Sequence, residues 1–172
     1  MKVKILLPMR ISFLDYPDPE NCCVLIYFLG CLHECIACSN PNLQNHDNKE
    51  GVTLDYKDFE KRVKISCEKN LTNKVVLSGG DPLFKKNISI VKHFLKRNKK
   101  NYDICIYTGN DISYVKKNKV EGFKFVKCGK YNIRLRQQSM KSDTEMKFAS
   151  TNQELYNEKY NLISKEGVYK FK

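Results

Sequence analysis

The sequence predicts an α/β fold built on a parallel sheet. Four apolar segments rich in β-branched and aromatic residues alternate with segments whose apolar residues recur at helical spacing. The predicted strands cover residues 22–29, 74–78, 103–109 and 123–126. Because strands that alternate with helices usually run in the same direction, this order predicts a parallel sheet. The chain has 172 residues, so we expect one domain, too short for a full eight-stranded barrel of about 250 residues.

The first predicted strand follows a lead-in segment, residues 1–21, that is expected to be extended or turning around Pro17 and Pro19. The strand itself shows no alternation of polar and apolar residues, which is typical of a strand buried on both faces. Cys22 and Cys23 at its start are therefore interpreted as core residues, since a free cysteine behaves as a small hydrophobe.

Helical spacing indicates three helices between the strands. Asp55 is a candidate N-cap for the first, whose inner face includes Phe59, Val63 and Cys67. The second runs from Ile88 through Arg97, and the third covers residues 112–117. Cys67 and Cys105 are expected to pack in the core. In the C-terminal tail, spaced apolar residues predict one docking helix; these residues are Leu155, Tyr156, Tyr160, Leu162 and Ile163.

A cysteine cluster directly follows the first strand. Three of the eight cysteines, Cys31, Cys35 and Cys38, occur in a Cys-x3-Cys-x2-Cys spacing. Iron-sulfur clusters are held by cysteine thiolates, and three ligands to a four-iron cluster leave one iron open. Loops at the carboxyl ends of parallel strands carry the ligand sites of α/β folds. The cluster therefore indicates a reactive metal centre.

Zinc is the main alternative at this place. His33 and His46 are close in sequence, and three cysteines with one histidine form an ordinary structural zinc site. Structural zinc sites more often show paired Cys-x2-Cys knuckles, and only Cys35 and Cys38 form one here. Disulfides are less favoured, since no secretory signal is evident and cysteines in reducing compartments bind metals or catalyse.

Four motifs in order resemble those of the radical S-adenosylmethionine (SAM) enzymes, and among them the activating proteins of anaerobic ribonucleotide reductases. The motifs are Gly30-Cys31-Leu32-His33-Glu34-Cys35-x-x-Cys38-x-Asn40, Leu77-Ser78-Gly79-Gly80-Asp81-Pro82-Leu83, Tyr107-Thr108-Gly109 and Ser150-Thr151-Asn152-Gln153. The resemblance implies a partial β/α barrel of the radical SAM type in a single domain over residues 1–172. Its core would cover about residues 20–153 and its C-terminal tail residues 154–172.

The resemblance also implies the cofactors and their contacts. A 4Fe-4S cluster would be held by Cys31, Cys35 and Cys38, and SAM would bind at its open iron. Gly79 and Gly80 would offer backbone to the amino acid part of SAM, and Asp81 would shape their turn. The remaining implied contacts with SAM are made by Ala37, Ser39, Asn40, Tyr107, Thr108 and Asn152.

By the same resemblance the protein is an oxidoreductase. The cluster would pass one electron to SAM, and the resulting 5′-deoxyadenosyl radical would create a glycyl radical on the partner, an anaerobic (class III) ribonucleotide reductase. A flavodoxin or ferredoxin is the implied electron donor. Two alternatives stay open. One is another radical SAM enzyme, either an activator of a different glycyl radical enzyme or a 7-carboxy-7-deazaguanine synthase-like enzyme. The other is a non-enzymatic, zinc-stabilised module that binds nucleic acid.

The sequence departs from the family pattern at two places. Ala37 stands where an aromatic residue usually precedes the third cysteine, so adenine packing is expected to be looser there or to be supplied by another side chain. The segment Lys127-Cys128-Gly129 lacks the acidic residue that the family carries before the glycine. Cys128 is interpreted as an incidental thiol.

Charge and hydropathy limit the partners further. The formal net charge is +12, but the lysines are scattered among asparagines without a basic stripe, so a solvated surface is favoured over a nucleic-acid partner. Steering of the chain toward an acidic protein partner by the positive field stays open. The longest apolar run, residues 22–29, is well short of the roughly 18 residues that indicate a membrane span. A cytoplasmic protein with no membrane partner is expected.

Overall fold

The computed structural model describes residues 1–19 and 22–171. Residues 20 and 21 of the predicted lead-in segment, and residue 172 of the tail, lie outside the described residues. Within this part the strands are β1 (Lys2–Ile5), β2 (Arg10–Ser12), β3 (Cys23–Phe28), β4 (Val52–Asp55), β5 (Lys74–Gly79), β6 (Asp103–Tyr107), β7 (Phe125–Cys128), β8 (Met140–Lys141), β9 (Glu145–Lys147), β10 (Glu154–Asn157) and β11 (Val168–Lys170). The helices are α1 (Tyr56–Lys69), α2 (Ile88–Asn98) and α3 (Ile112–Lys117).

The larger sheet has the strand order β10-β7-β6-β5-β3-β1-β4, and β2 pairs with β3 outside this path. Its centre, β3, β5, β6 and β7, is parallel, which confirms the predicted α/β class and the predicted parallel pairing of these four strands. The flanking strands β1, β4 and β10 pair antiparallel, so the sheet as a whole is mixed. The partial barrel stays a prediction.

The three helices cover one face of this sheet. Asp55 caps α1 as predicted, because its side chain accepts a hydrogen bond from the Asp58 N–H. Phe59 and Val63 of α1 and Phe94 of α2 are at most 1% exposed and pack against alternate residues of the parallel strands. Burial of each such side chain contributes roughly 1.5–3 kcal/mol. The prediction of three helices at these places is confirmed.

The other face of the sheet is covered by two different segments. A strap, defined here as residues 13–19, places the buried ring of Tyr16 edge-on against Phe125, with ring centroids 5.8 Å apart. A second, three-stranded sheet, ordered β11-β9-β8, adds Met146 and Phe148. Cys23 and Cys105 lie buried on this face. Both faces of the parallel strands are therefore buried, as their unbroken apolar runs predict.

The predicted docking helix in the tail is wrong. Residues 154–157 form β10, which pairs antiparallel with β7. Leu155 packs with the smaller sheet, whereas Tyr156 and Tyr160 pack with the helix-side core. The apolar residues thus pack on the two opposite faces of β10 and in the turn after it. Their spacing in the sequence happens to resemble that of a helix. β10 also satisfies the backbone groups of β7, which would otherwise be an edge strand.

Two smaller details differ from the predictions. The fourth parallel strand begins two residues late, at Phe125, because Phe123 packs its ring against Tyr160 in the loop before it. Cys22 is half-buried and lies before β3, with its Sγ 3.6 Å from the Asn70 carbonyl oxygen.

Cys67 is buried on α1 as predicted. In the described part of the chain, no helix has the length and apolarity to cross a bilayer.

Candidate active site

The carboxyl ends of the four parallel strands meet at a cleft of about 440 Å³. The loop after β3 carries the cysteines, the loops after β5 and β6 carry the second and third motifs, and the fourth motif directly precedes β10. Nine of the residues predicted for the site line this cleft: Cys31, Cys35, Cys38, Ser39, Asn40, Gly79, Gly80, Tyr107 and Thr108. Ala37, Asp81 and Asn152 are not among the lining residues. A larger groove of about 910 Å³ beside α1 and α2 contains none of the motif residues.

The cysteine loop, residues 30–40, is anchored by the chain that returns past it. Gly30 N–H donates to the Leu43 carbonyl at 2.8 Å, and Cys31 N–H donates to the Gln44 carbonyl at 3.0 Å. Gly30 has φ +101°, and a Cβ there would meet the Phe84 ring at 2.4 Å. The start of the loop is therefore fixed by backbone hydrogen bonds, and the Phe84 ring leaves no room for a side chain at Gly30.

All three thiols are half-buried at the cleft. Backbone N–H groups of His33 and Asn40 donate to the sulfurs of Cys31 and Cys38, each at 3.4 Å. Burial raises the pKa of Cys31 to about 11 and also raises the pKa of Cys35. Metal ligation requires thiolates, so a bound metal must displace these protons. N–H donors to sulfur are the contacts that stabilise a ligating thiolate.

Ala37 occupies a left-handed backbone conformation, with φ +57°, and its side chain is exposed. Cys38, Ser39 and Asn40, which follow Ala37 directly, do line the cleft. The backbone turn at Ala37 thus brings the chain back towards the cleft, while its methyl group covers none of it.

The glycine turn after β5 packs tightly against the cysteine loop. A Cβ on Gly79 would lie 2.5 Å from the Phe28 backbone, and one on Gly80 would lie 2.5 Å from the Leu43 carbonyl oxygen. The Gly80 N–H donates to Phe28, and the Asp81 N–H donates to Gly30. Close approach of the chain to itself, rather than to a ligand alone, therefore requires glycine at both positions.

Asp81 is 1% exposed and its carboxylate joins three motifs. Oδ1 accepts from the Leu83 N–H at 2.7 Å, and the Thr108 hydroxyl donates to the carboxylate at 2.9–3.0 Å. Oδ2 also accepts from the Gly109 N–H, the Asn110 side-chain amide and the His33 ring. These five donors account for the hydrogen-bonding capacity of a carboxylate. Asp81 shapes its turn through Leu83 and presents no spare oxygen to the cleft.

A lysine and aromatic rings line the far side of the cleft. The Tyr107 hydroxyl donates to the Asp15 carbonyl oxygen at 2.5 Å. Lys127 Nζ lies 4.1 Å from the centroid of the Tyr107 ring and 5.7 Å from that of Phe148, in cation–π geometry. Burial lowers the pKa of Lys127 to about 8. No salt bridge of Lys127 occurs within residues 1–19 and 22–171.

The fourth motif braces the loop after β7. The Asn152 amide donates to the Lys130 carbonyl at 3.0 Å, and the Gln153 amide donates to the Gly129 carbonyl at 3.2 Å. The fully buried Ser150 accepts from the Asn132 N–H. This loop borders Cys35, since Tyr131 and Lys130 line the cleft. In this structure Asn152 therefore supports the loop that forms this wall of the cleft, without lining the cleft itself.

Sequence reasoning missed several cleft residues. Asp15, Met146 and Phe148 come from the strap and the smaller sheet, which no motif marks. Lys127 was noted as a departure from the family pattern without a place in the cleft. His33 was considered only as a zinc ligand, although its position between two ligating cysteines was a usable signal.

The donor atoms also bear on which metal fits. Within the described residues, the metal-capable groups whose donor atoms all lie within 4.8 Å of one another are Cys31, His33 and Asp81. The three cysteine sulfurs do not form such a group. Four ligands at about 2.3 Å from one zinc ion would be about 4 Å apart. Sulfurs spread around a half-buried cleft fit a multi-iron cluster better than a single ion.

A parallel sheet with three thiols at its carboxyl edge is the arrangement expected of an iron-sulfur protein of the α/β class. Residues 20–156 match the 4Fe-4S single cluster domain family. A curated relative from Enterobacteria phage T4, the anaerobic ribonucleoside-triphosphate reductase-activating protein, is 30% identical over 132 residues, covering 73% of this chain and 81% of the relative. The chain belongs to the family of anaerobic ribonucleoside-triphosphate reductase-activating proteins.

Proposed function

We propose that this protein activates an anaerobic ribonucleotide reductase by reductive cleavage of SAM. The observation that supports this most directly is the set of three half-buried thiols opening onto the cleft. Among the described residues that line the cleft there is no fourth cysteine. A 4Fe-4S cluster on Cys31, Cys35 and Cys38 would keep one iron accessible from the cleft.

The residues around the cleft suggest how SAM is oriented. The N–H groups of Gly80 and Asp81 already donate within the protein, so this turn cannot offer them to a carboxylate. Backbone carbonyl groups suit an ammonium group, and we therefore assign the amino end of SAM to the Gly79–Gly80 turn. Ser39 and Asn40 on one side and Tyr107 on the other would border the rest of the molecule. Thr108 and Asp81 contribute by holding the turn, and Asn152 by holding the loop after β7.

When bound, the cluster and SAM supply the electron transfer and the 5′-deoxyadenosyl radical that takes a hydrogen atom from a glycine of the reductase. The protein orients the cofactors and limits access of water. Its cleft walls, the strap and the smaller sheet, contribute apolar side chains such as Met146 and Phe148. An electron donor such as a flavodoxin or ferredoxin would reduce the cluster.

We further propose that the larger sheet is a partial barrel of the radical SAM type and that residues 1–172 form one domain. Support comes from the four parallel strands with helices on one face and the site at their carboxyl ends. An incomplete barrel would have an open side that could admit a segment of a partner protein.

The test compares the protein purified without oxygen with two cysteine variants. The wild type should be brown, with about four irons and acid-labile sulfide, and dithionite should bleach it. Cys35→Ala should lose the cluster. Cys105→Ala, which removes a buried thiol outside the cysteine loop, is the matched control and should retain it. SAM cleavage would then be measured with and without the reductase. A colourless wild type that holds one zinc ion would refute the proposal in favour of a zinc module.

A further inference from the structure

His33 makes two contacts that connect the cysteine loop to the glycine turn. Its backbone N–H donates to the Cys31 sulfur at 3.4 Å. Its ring Nε2 lies 2.7 Å from Asp81 Oδ2. The side chain is 21% exposed, against 2% for the side chain of Asp81, so this contact is largely shielded from water. One residue therefore joins a proposed ligand of the cluster to the turn proposed for SAM.

The direction of the hydrogen bond follows from the other partners of Asp81. Leu83 N–H, Thr108 Oγ1–H, Gly109 N–H and the Asn110 amide all donate to the same carboxylate. A carboxylate accepts at both oxygens, so the histidine Nε2 must carry the hydrogen. Charge-assisted hydrogen bonds of this kind are about twice as strong as neutral ones.

The ring is also held from a second side. A Cβ on Gly109 would lie 2.3 Å from His33 Cδ2, so the ring lies directly against the glycine backbone. Gly109 follows Thr108 in the third motif, and both donate to Asp81. The place of the His33 ring is therefore defined jointly by the loops after β5 and β6.

We propose that His33 is a positioning residue that fixes the loop between Cys31 and Cys35 to the Asp81 turn. This role rests on the proposed function, because its consequence concerns SAM and the cluster. The cysteine loop and the glycine turn then move as one unit. Because coupling between two binding events is reciprocal, SAM at the turn stabilises the cluster in the loop, and the cluster strengthens SAM binding.

Two substitutions of His33 separate a positioning role from others. His33→Ala removes the donor. His33→Gln keeps an Nε2 donor at a similar distance from the backbone and should restore the contact with Asp81. In the metal-free protein, we expect His33→Ala to lower the urea midpoint of unfolding and His33→Gln to recover most of the loss. In the iron-loaded protein, His33→Ala should release iron to a chelator about tenfold faster, equivalent to about 1.4 kcal/mol.

Added SAM provides the decisive readout. It should slow iron release from the wild type and from His33→Gln by a larger factor than from His33→Ala, in which only the direct contact of SAM with the open iron would remain to protect the cluster. His46→Ala is the control, because His46 is half-buried, lies outside the cleft lining and contacts Asp47 instead. In the double variant His33→Ala with Asp81→Asn, the second change should add less destabilisation than it does alone.

The outcomes decide the proposal. If His33→Gln loses iron as fast as His33→Ala, the amide donor does not replace the ring, and a positioning role is excluded in favour of direct ligation. If His33→Ala equals the wild type, the contact has no role. Failure of the proposed function is distinguishable, since a wild type without an iron-sulfur cluster would refute that function, while unfolding of the metal-free variants would still test the contact between His33 and Asp81.

Discussion

Replacing Gly79 by alanine should have two effects at once: it should destabilise the fold and displace the cysteine loop. Gly79 has φ +112°, a conformation that L-residues rarely adopt, and such strain costs about 1–3 kcal/mol. The added Cβ would lie 2.5 Å from the Phe28 N and O atoms, so β3 or β5 must move by about 0.9 Å to reach ordinary contact. Overpacking of this kind adds about 1–3 kcal/mol. We expect Gly79→Ala to lose about 2–6 kcal/mol of unfolding free energy.

Gly122→Ala is the matched control. Gly122 has φ +91°, but its nearest non-local atom, the Leu95 carbonyl oxygen, would be 3.2 Å from the new Cβ. Backbone strain is thus similar and the clash much smaller, so the expected loss is the strain contribution alone, about 1–3 kcal/mol, without the overpacking contribution of Gly79→Ala. Urea unfolding of the metal-free proteins measures both losses, and iron content measures the displacement of Cys31, which follows Phe28 by three residues. Equal losses for the two variants, with full iron content in Gly79→Ala, would contradict the reasoning.

Three further predictions concern the cleft and its cover. Burial lowers the pKa of Lys127 from 10.5 to about 8, so the charged lysine destabilises the fold below pH 8, and this penalty disappears as the pH rises towards 10.5. The unfolding free energy of the wild type should therefore rise relative to that of Lys127→Met across this range, measured by urea unfolding at several pH values; a flat difference would exclude a buried charge. The alanine methyl of residue 37 does not reach the cleft, but the family pattern places an aromatic residue there, so Ala37→Tyr should bind SAM up to about tenfold more tightly in an equilibrium binding assay through stacking on the adenine, whereas Ile36→Tyr, one position away from that pattern, should not. Tyr16→Ala should cost about 3–5 kcal/mol of unfolding free energy in the same urea assay, and a loss below about 1 kcal/mol would show that the strap does not hold the sheet.

The parallel centre of the fold could be predicted because its signals are local. Each strand is an unbroken apolar run, and α1 has a cap that its own first turn satisfies through Asp58. The tail could not be predicted in the same way. Leu155 and Tyr156 bury against different layers, and that information resides in the partners of β10 rather than in β10 itself. The short pairings of the smaller sheet likewise depend on contacts remote in sequence.

The candidate site likewise has features with a local sequence signal and features that depend on the assembled fold. The spacing of Cys31, Cys35 and Cys38 indicates a metal centre without knowledge of the fold. The hydrogen bonds that occupy the Asp81 carboxylate form between loops that are distant in sequence, and so does the contact of the Lys127 ammonium group with the Tyr107 ring. Neither could be predicted without the folded arrangement of these loops. Glycine positions gave a partial answer, because the motif marks Gly79 and Gly80 but does not tell whether a ligand or the chain itself approaches them.

The cover of the second sheet face has a consequence for the order of events during synthesis. One wall of the cleft comes from the strap at residues 13–19, and another from residues 139–149 of the smaller sheet and its flanks. The cysteines leave the ribosome more than one hundred residues before that second wall exists. A nascent chain therefore exposes its three thiols on an unfinished surface. Loading with iron and sulfide is therefore expected after release, once both walls have folded beside the cysteine loop.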